Sequence, residues 1–150
     1  MYTIKFTVVC GVTKFKATNT SQVLVSPGYP HEYFSNLDCM WTISTENNSA
    51  AAIILKFDSF DVSWTQLKLN KKTVQGSFLT QLEEGYDFFT IIDHKGSYEN
   101  LTGLLGPHNR IYYGGTVSLQ FHTDESYSTT GFKIFYKIKQ IGIQQSNLIK

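Results

Sequence analysis

The sequence predicts an all-β domain, a sandwich or barrel of antiparallel strands. Three observations carry this. β-Branched and aromatic residues come in short runs separated by Gly, Pro, Asn and Ser. Two late segments, Val117–His122 and Gly131–Ile138, alternate apolar and polar side chains strictly. That is the period of a strand with one face on a core and one in water. No run of helical period extends beyond two turns. Alternation also favours antiparallel pairing, because strands of parallel sheets are buried on both faces.

In chain order, Val23–Val25 is a short run stopped by the turn signal Ser26-Pro27-Gly28. Trp41–Ser44 alternates with period two and ends before Asn47-Asn48-Ser49. Ala52–Phe57 is apolar with one charge, Lys56. Tyr86–Ile92 is apolar and aromatic between Gly85 and Gly96. Val117–His122 and Gly131–Ile138 close the series. Trp64–Leu82 interrupts the rhythm and is either a long loop or an extra hairpin. Gln140–Lys150 has no partner pattern and reads as a linker or a frayed end.

The 150 residues are 41% hydrophobic and 17% charged, which excludes a disordered chain. One domain of this length buries its own core. The formal charge is +1 and no Lys/Arg-rich stretch stands out, so nothing electrostatic points to nucleic acid or an anionic membrane. The longest apolar stretches, such as Ala50–Leu55, fall far short of the roughly 20 residues of a membrane-spanning helix. Met1–Val9 is too short and too polar for a secretory signal. Either the chain is cytosolic, or it is a mature chain or excised domain with a starter Met. Cys10 and Cys39 are one disulfide or two unrelated thiols.

Catalytic patterns are missing from the sequence. His31, His94, His108 and His122 are scattered with no H-E-x-x-H spacing, and there is no G-x-S-x-G, P-loop or dinucleotide fingerprint. His122 alternates onto the polar face of its strand and reads as a solvated histidine. Three N-glycosylation sequons, at Asn19, Asn47 and Asn100, fall in turn-like stretches.

Several segments, in order, resemble the CUB domain, an extracellular module of complement proteases, astacin-type proteases, cubilin and spermadhesins. Cys10-Gly11 resembles its opening Cys-Gly. Ser26–Tyr33 (SPGYPHEY) resembles S-P-x-Y-P-x-x-Y, and Cys39–Ile43 (CMWTI) resembles C-x-W-x-I. Phe57–Val62 (FDSFDV) resembles F-x-x-F-D-hydrophobic, and Tyr86–Ile91 (YDFFTI) resembles Y-D-x-hydrophobic-x-I. Leu101-Thr102-Gly103, Phe121–Asp124 (FHTD), Gly131-Phe132 and Tyr136 follow. The resemblance runs from Cys10 to Ile138. It implies a sandwich of two antiparallel sheets over residues 10–138, with residues 64–82 as an insertion, 1–9 as a lead and 139–150 as a tail.

The resemblance further implies a Cys10–Cys39 disulfide and hence an exported protein, since such bonds persist in oxidising compartments. The family's second disulfide is absent, its positions held by Glu84 and Leu105. Many members carry Ca²⁺ at one end of the sandwich. Carried over, the ligands are Asp87, Asp124 and a carbonyl near Ser126, supported by Tyr33, while Ser63 stands where calcium-binding members have Glu. Loss of one carboxylate lowers cation affinity. Asp61 and Glu125 are the acids that could compensate, and the alternative role for Asp87 and Asp124 is capping turns.

The implied function is non-catalytic recognition of an extracellular protein through Tyr33, Asp87 and Asp124, which receive a basic side chain of the partner. A calcium-independent glycan or glycosaminoglycan binder using Lys68, Lys71 and Lys72 is the alternative. A spacer between the catalytic domains of a larger protein is a third reading. The chain is expected to be part of a multidomain protein or a small secreted one.

Overall fold

A computed structural model describes residues 10–46, 51–62, 87–125 and 128–140. Ten strands lie among them: β1 (Val12–Lys16), β2 (Gln22–Val25), β3 (Asp38–Ser44), β4 (Ala52–Val62), β5 (Phe88–Ile92), β6 (Tyr98–Leu101), β7 (Gly103–Leu105), β8 (His108–Tyr112), β9 (Thr116–His122) and β10 (Gly131–Lys139). They form two sheets. One has the order β1-β3-β9-β5-β6. The other has the order β2-β10-β4-β7, with β8 also on β4. Strand β4 is long enough to seat β8 along Ile53–Phe57 and β7 along Phe60–Val62.

The alternating segments behave as their pattern requires. On β3 the buried residues Cys39, Trp41 and Ile43 sit directly across from Phe121, Leu119 and Val117 of β9. On β10 the buried set is Phe132, Ile134 and Tyr136. The second sheet's ladder slips between Lys133 and Ile134, a bulge opposite the stretch of β4 that contains Asp58. It allows Phe57 and Phe60, three residues apart, both to face the core.

Phe132 lies at the centre of the contact between the sheets. Its ring meets Phe89 at 4.8 Å, Phe121 at 5.1 Å and Trp41 at 5.9 Å, each edge-to-face or steeply tilted. Such arrangements place the positive ring edge against a neighbour's negative face.

Among the described residues all strand pairs are antiparallel except one. Strand β1 runs parallel to β3, with Val12 opposite Met40 and Lys16 opposite Ser44. The Cys10–Cys39 disulfide joins these two strands at their starts, with Cα atoms 4.5 Å apart. Leu105, at a position the resemblance assigns to a second bridge, packs against the core from β7. Residues 1–9, 64–82 and 141–150, as well as Ser63, Glu84 and Ser126, lie outside the described residues.

Candidate functional site

The end of β4, the start of β5, the end of β9 and the start of β10 meet at one end of the sandwich. Gly131 opens β10 at φ +79°, and a Cβ there would lie 1.9 Å from Ser26 Oγ. Only glycine allows this approach, which L residues resist twice over, through φ and through space. Ser26 then clamps β10. Its Oγ accepts from the Phe132 amide at 3.0 Å and its own amide donates to the Phe132 carbonyl at 3.0 Å. The clamp carries the following segment inward, so that Tyr33 is buried, with its ring edge-on to Phe121 at 5.0 Å. The Tyr33 amide donates to the Thr129 carbonyl at 3.1 Å.

Tyr33 thereby reaches Asp87. Its hydroxyl donates to Asp87 Oδ2 at 2.5 Å, and the Asp124 amide donates to Asp87 Oδ1 at 2.7 Å. The backbone of Asp87 is held as well, since Thr102 Oγ1 donates to its carbonyl at 3.0 Å. Asp124 is fixed from the other side by Asn36, whose amide donates to the Asp124 carbonyl at 2.9 Å. Tyr33, Asp87 and Asp124 are thus brought together from three distant parts of the chain, in the set that the sequence nominates.

Asp87 is 3% exposed. Burial pushes its carboxyl up to about 6. The hydrogen bonds from Tyr33 and the Asp124 amide oppose this, and the negative charge of Asp124 adds to it. No Lys, Arg or His among the described residues forms an ion pair with Asp87. A buried carboxylate next to a second carboxylate costs free energy unless a cation balances them.

The shift has a sign that can be measured. The folded state holds the Asp87 proton more tightly than the unfolded chain does, so in chelator the unfolding free energy falls as pH rises from about 4 to about 6. The expected loss is about 1–3 kcal/mol. Denaturant titrations across this range check it, and Asp87→Asn should flatten the slope.

Other candidate residues are placed as follows. Asp61 is the penultimate residue of β4, and its carbonyl accepts from Thr129 Oγ1 at 2.5 Å; burial pushes its carboxyl above the ordinary value, opposed by Thr129. Glu125 is exposed. Among the described residues no three His, Cys, Asp or Glu side chains gather as a metal-holding group. Asn19 and Asn100 are exposed, and Asn100 Oδ1 accepts from Thr90 Oγ1 at 2.6 Å. Asn47 lies outside the described residues. His122 is half-exposed on the outer face. Its Nδ1 lies 2.6 Å from Asp38 Oδ1, and its ring stacks on Phe88 at 4.9 Å.

Sequence reasoning missed three threonines that build this end: Thr102, Thr129 and Thr123. Thr123 is buried. Its hydroxyl donates to the Phe34 carbonyl at 2.9 Å and accepts from the Leu37 amide at 2.8 Å. A signal for it existed. It continues the inward phase Val117, Leu119, Phe121, so a polar side chain there must be satisfied internally.

The two carboxylates suit a hard divalent cation, because Ca²⁺ prefers oxygen ligands and carboxylate above all. Asp87 also shares a hydrogen bond with the Asp124 side chain, which places the two carboxyl groups side by side.

Comparison with known proteins agrees with this architecture. A family profile described as the CUB domain matches residues 10–136. A cubilin homolog of Drosophila melanogaster is 34% identical over 141 residues, covering 92% of this chain and 3% of that protein. The chain therefore spans only a small part of such relatives. Among solved structures, the full extracellular region of zebrafish Gpr126/Adgrg6 superposes with a TM-score of 0.66 at 22% identity, over 88% of this chain and 15% of that one. The MASP-1 CUB2 domain bound to Ca²⁺ superposes with a TM-score of 0.59 at 21% identity, over 82% of this chain and 96% of that one. At these identities the structural likeness concerns the fold.

Proposed function

The chain belongs to the CUB domain family, and from that premise we propose that it is a non-catalytic extracellular recognition module whose binding surface is the end of the sandwich carrying Tyr33, Asp87 and Asp124. The observation that carries this reading is the buried Asp87 carboxylate, which is oriented by Tyr33 and the Asp124 amide, lies beside the Asp124 carboxyl, and itself forms no ion pair among the described residues. Such a pair attracts a cation.

Asp87 and Asp124 would hold Ca²⁺, with a carbonyl near Ser126 and water completing a shell of about six to eight oxygens. The ion would supply a fixed positive charge that lets both carboxylates stay ionised and the loops stay in place. The acidic rim would receive a Lys or Arg of a partner protein, a charge-assisted contact. A solved relative of the same fold is bound to Ca²⁺. With Ser63 in place of Glu, affinity should be weaker than in a site with three carboxylates. Phe34, 47% exposed beside this end, offers apolar contact area. An extracellular location, N-glycans at Asn19 and Asn100, and membership of a larger protein belong to the same reading.

The test is the thermal midpoint in chelator and in millimolar Ca²⁺. A ligand that binds only the folded state raises the midpoint with its concentration. The unmutated chain should rise and Asp124→Ala should not. Equal midpoints for the unmutated chain with and without Ca²⁺ would remove the metal from the reading.

A further inference from the structure

The outer face of the second sheet carries a second candidate surface, remote from the acidic end. Its outward positions on β10 are Lys133, Phe135, Lys137 and Lys139, and on β4 they are Ile54, Lys56 and Asp58. The register places Phe135 across from Lys56 and Lys137 across from Ile54, so the two lysines are diagonal neighbours. Between them runs a groove of about 260 Å³ lined by Ser21, Ile54, Lys56, Asn109, Phe135 and Lys137. The Lys133 ammonium lies 5.2 Å from the centre of the Phe135 ring. A cation over a ring face is held by the ring's quadrupole, so Phe135 gathers positive charge at the groove.

No acid lines the groove. None of Lys56, Lys133 and Lys137 forms an ion pair among the described residues, whose pairs are Lys16–Glu46, Arg110–Glu99 and His122–Asp38. Asp58, two residues from Lys56 in the same outward phase, is the nearest acid along β4. The chain's near-neutral total charge hides this local excess.

We propose that this groove binds an acidic, sulfated polysaccharide. Two ammonium groups on its walls match sulfate or carboxylate groups along the chain. The Asn109 amide and Ser21 hydroxyl match sugar hydroxyls, and Ile54 and Phe135 give the apolar floor on which C–H faces of a sugar ring rest. An acidic peptide uses the lysines but not this mixture. The groove lies on a sheet face, so a peptide could not add its backbone to a strand edge there.

The test is calorimetry of the full chain with a heparin-derived octasaccharide, in chelator so that the acidic end plays no part. The protein is made without N-glycans, because Ser21, the third residue of the Asn19 sequon, lines the groove. Binding should weaken with salt. It should fall by about tenfold or more in Lys56→Ala/Lys137→Ala, while Lys71→Ala/Lys72→Ala binds as the unmutated chain does. Lys56 and Lys137 are exposed, and matching thermal midpoints confirm that each variant folds. Four results would overturn the proposal: no binding by the unmutated chain, equal binding by the groove variant, equal binding of a desulfated octasaccharide, or tighter lysine-dependent binding of a poly-glutamate peptide.

Discussion

Phe132→Ala is expected to lower the unfolding free energy by about 3–5 kcal/mol. The side chain is fully buried and touches rings from both sheets: Trp41, Phe89 and Phe121 on one, Phe60 on its own. Truncation removes the transfer free energy of the ring. It also leaves a cavity that four aromatic neighbours, each locked in its own strand, cannot close. In a domain of this size the thermal midpoint should fall by roughly 10–20 °C. Phe132→Leu, which fills much of the volume, should recover more than half of the loss. A midpoint within a few degrees of the original for Phe132→Ala would show that the sheets do not meet through this ring.

Removing the Cys10–Cys39 bond, as Cys10→Ala/Cys39→Ala, is expected to cost about 2–4 kcal/mol. The bond closes a loop with a sequence separation of 29. By the chain-entropy argument such a loop is worth about 3.6 kcal/mol through restriction of the unfolded chain. The folded state is affected too. Strand β1 is an edge strand with alternating exposed and half-buried residues, held by one parallel ladder. Without its covalent start it should fray first, and its amides should exchange faster with deuterium than those of β3. Denaturant titration checks the free energy. Two thiols alkylated without prior reduction, and no change in midpoint, would contradict the bond.

Two kinds of strand are legible in the sequence: the apolar runs that become β4 and β5, and the strands with one buried and one wet face. Strands β3, β9 and β10 alternate over seven or more residues, and the structure pairs them at the middle of their sheets. Strands β6, β7 and β8 are not legible, for the opposite reason. Tyr98–Leu101, Gly103–Leu105 and His108–Tyr112 are short edge segments with polar or exposed residues, and their partner supplies the order their own pattern lacks. The parallel pairing of β1 was illegible as well. It depends on a partner about 28 residues away, and five residues, VTKFK, carry no direction.

The site divides in the same way. Asp87, Asp124 and Tyr33 could be nominated only because their motifs follow a known order; nothing local to Tyr33 says that its hydroxyl meets a carboxylate 54 residues later. The threonines that tie the loops together act through backbone groups, which the sequence does not display. The basic groove spreads its lysines over β4 and β10, so no Lys/Arg run marks it. It exists only once the register between those strands is known.

The most direct measurement of the acidic end is calorimetric titration of the chain with Ca²⁺ after exhaustive chelation. If Asp87 and Asp124 hold the ion, the heat saturates at one site per chain. It then disappears in Asp87→Asn and in Asp124→Asn, while both variants still melt cooperatively. Absence of heat in the unmutated chain, or a one-site isotherm that both variants retain, would contradict a calcium-organised binding end.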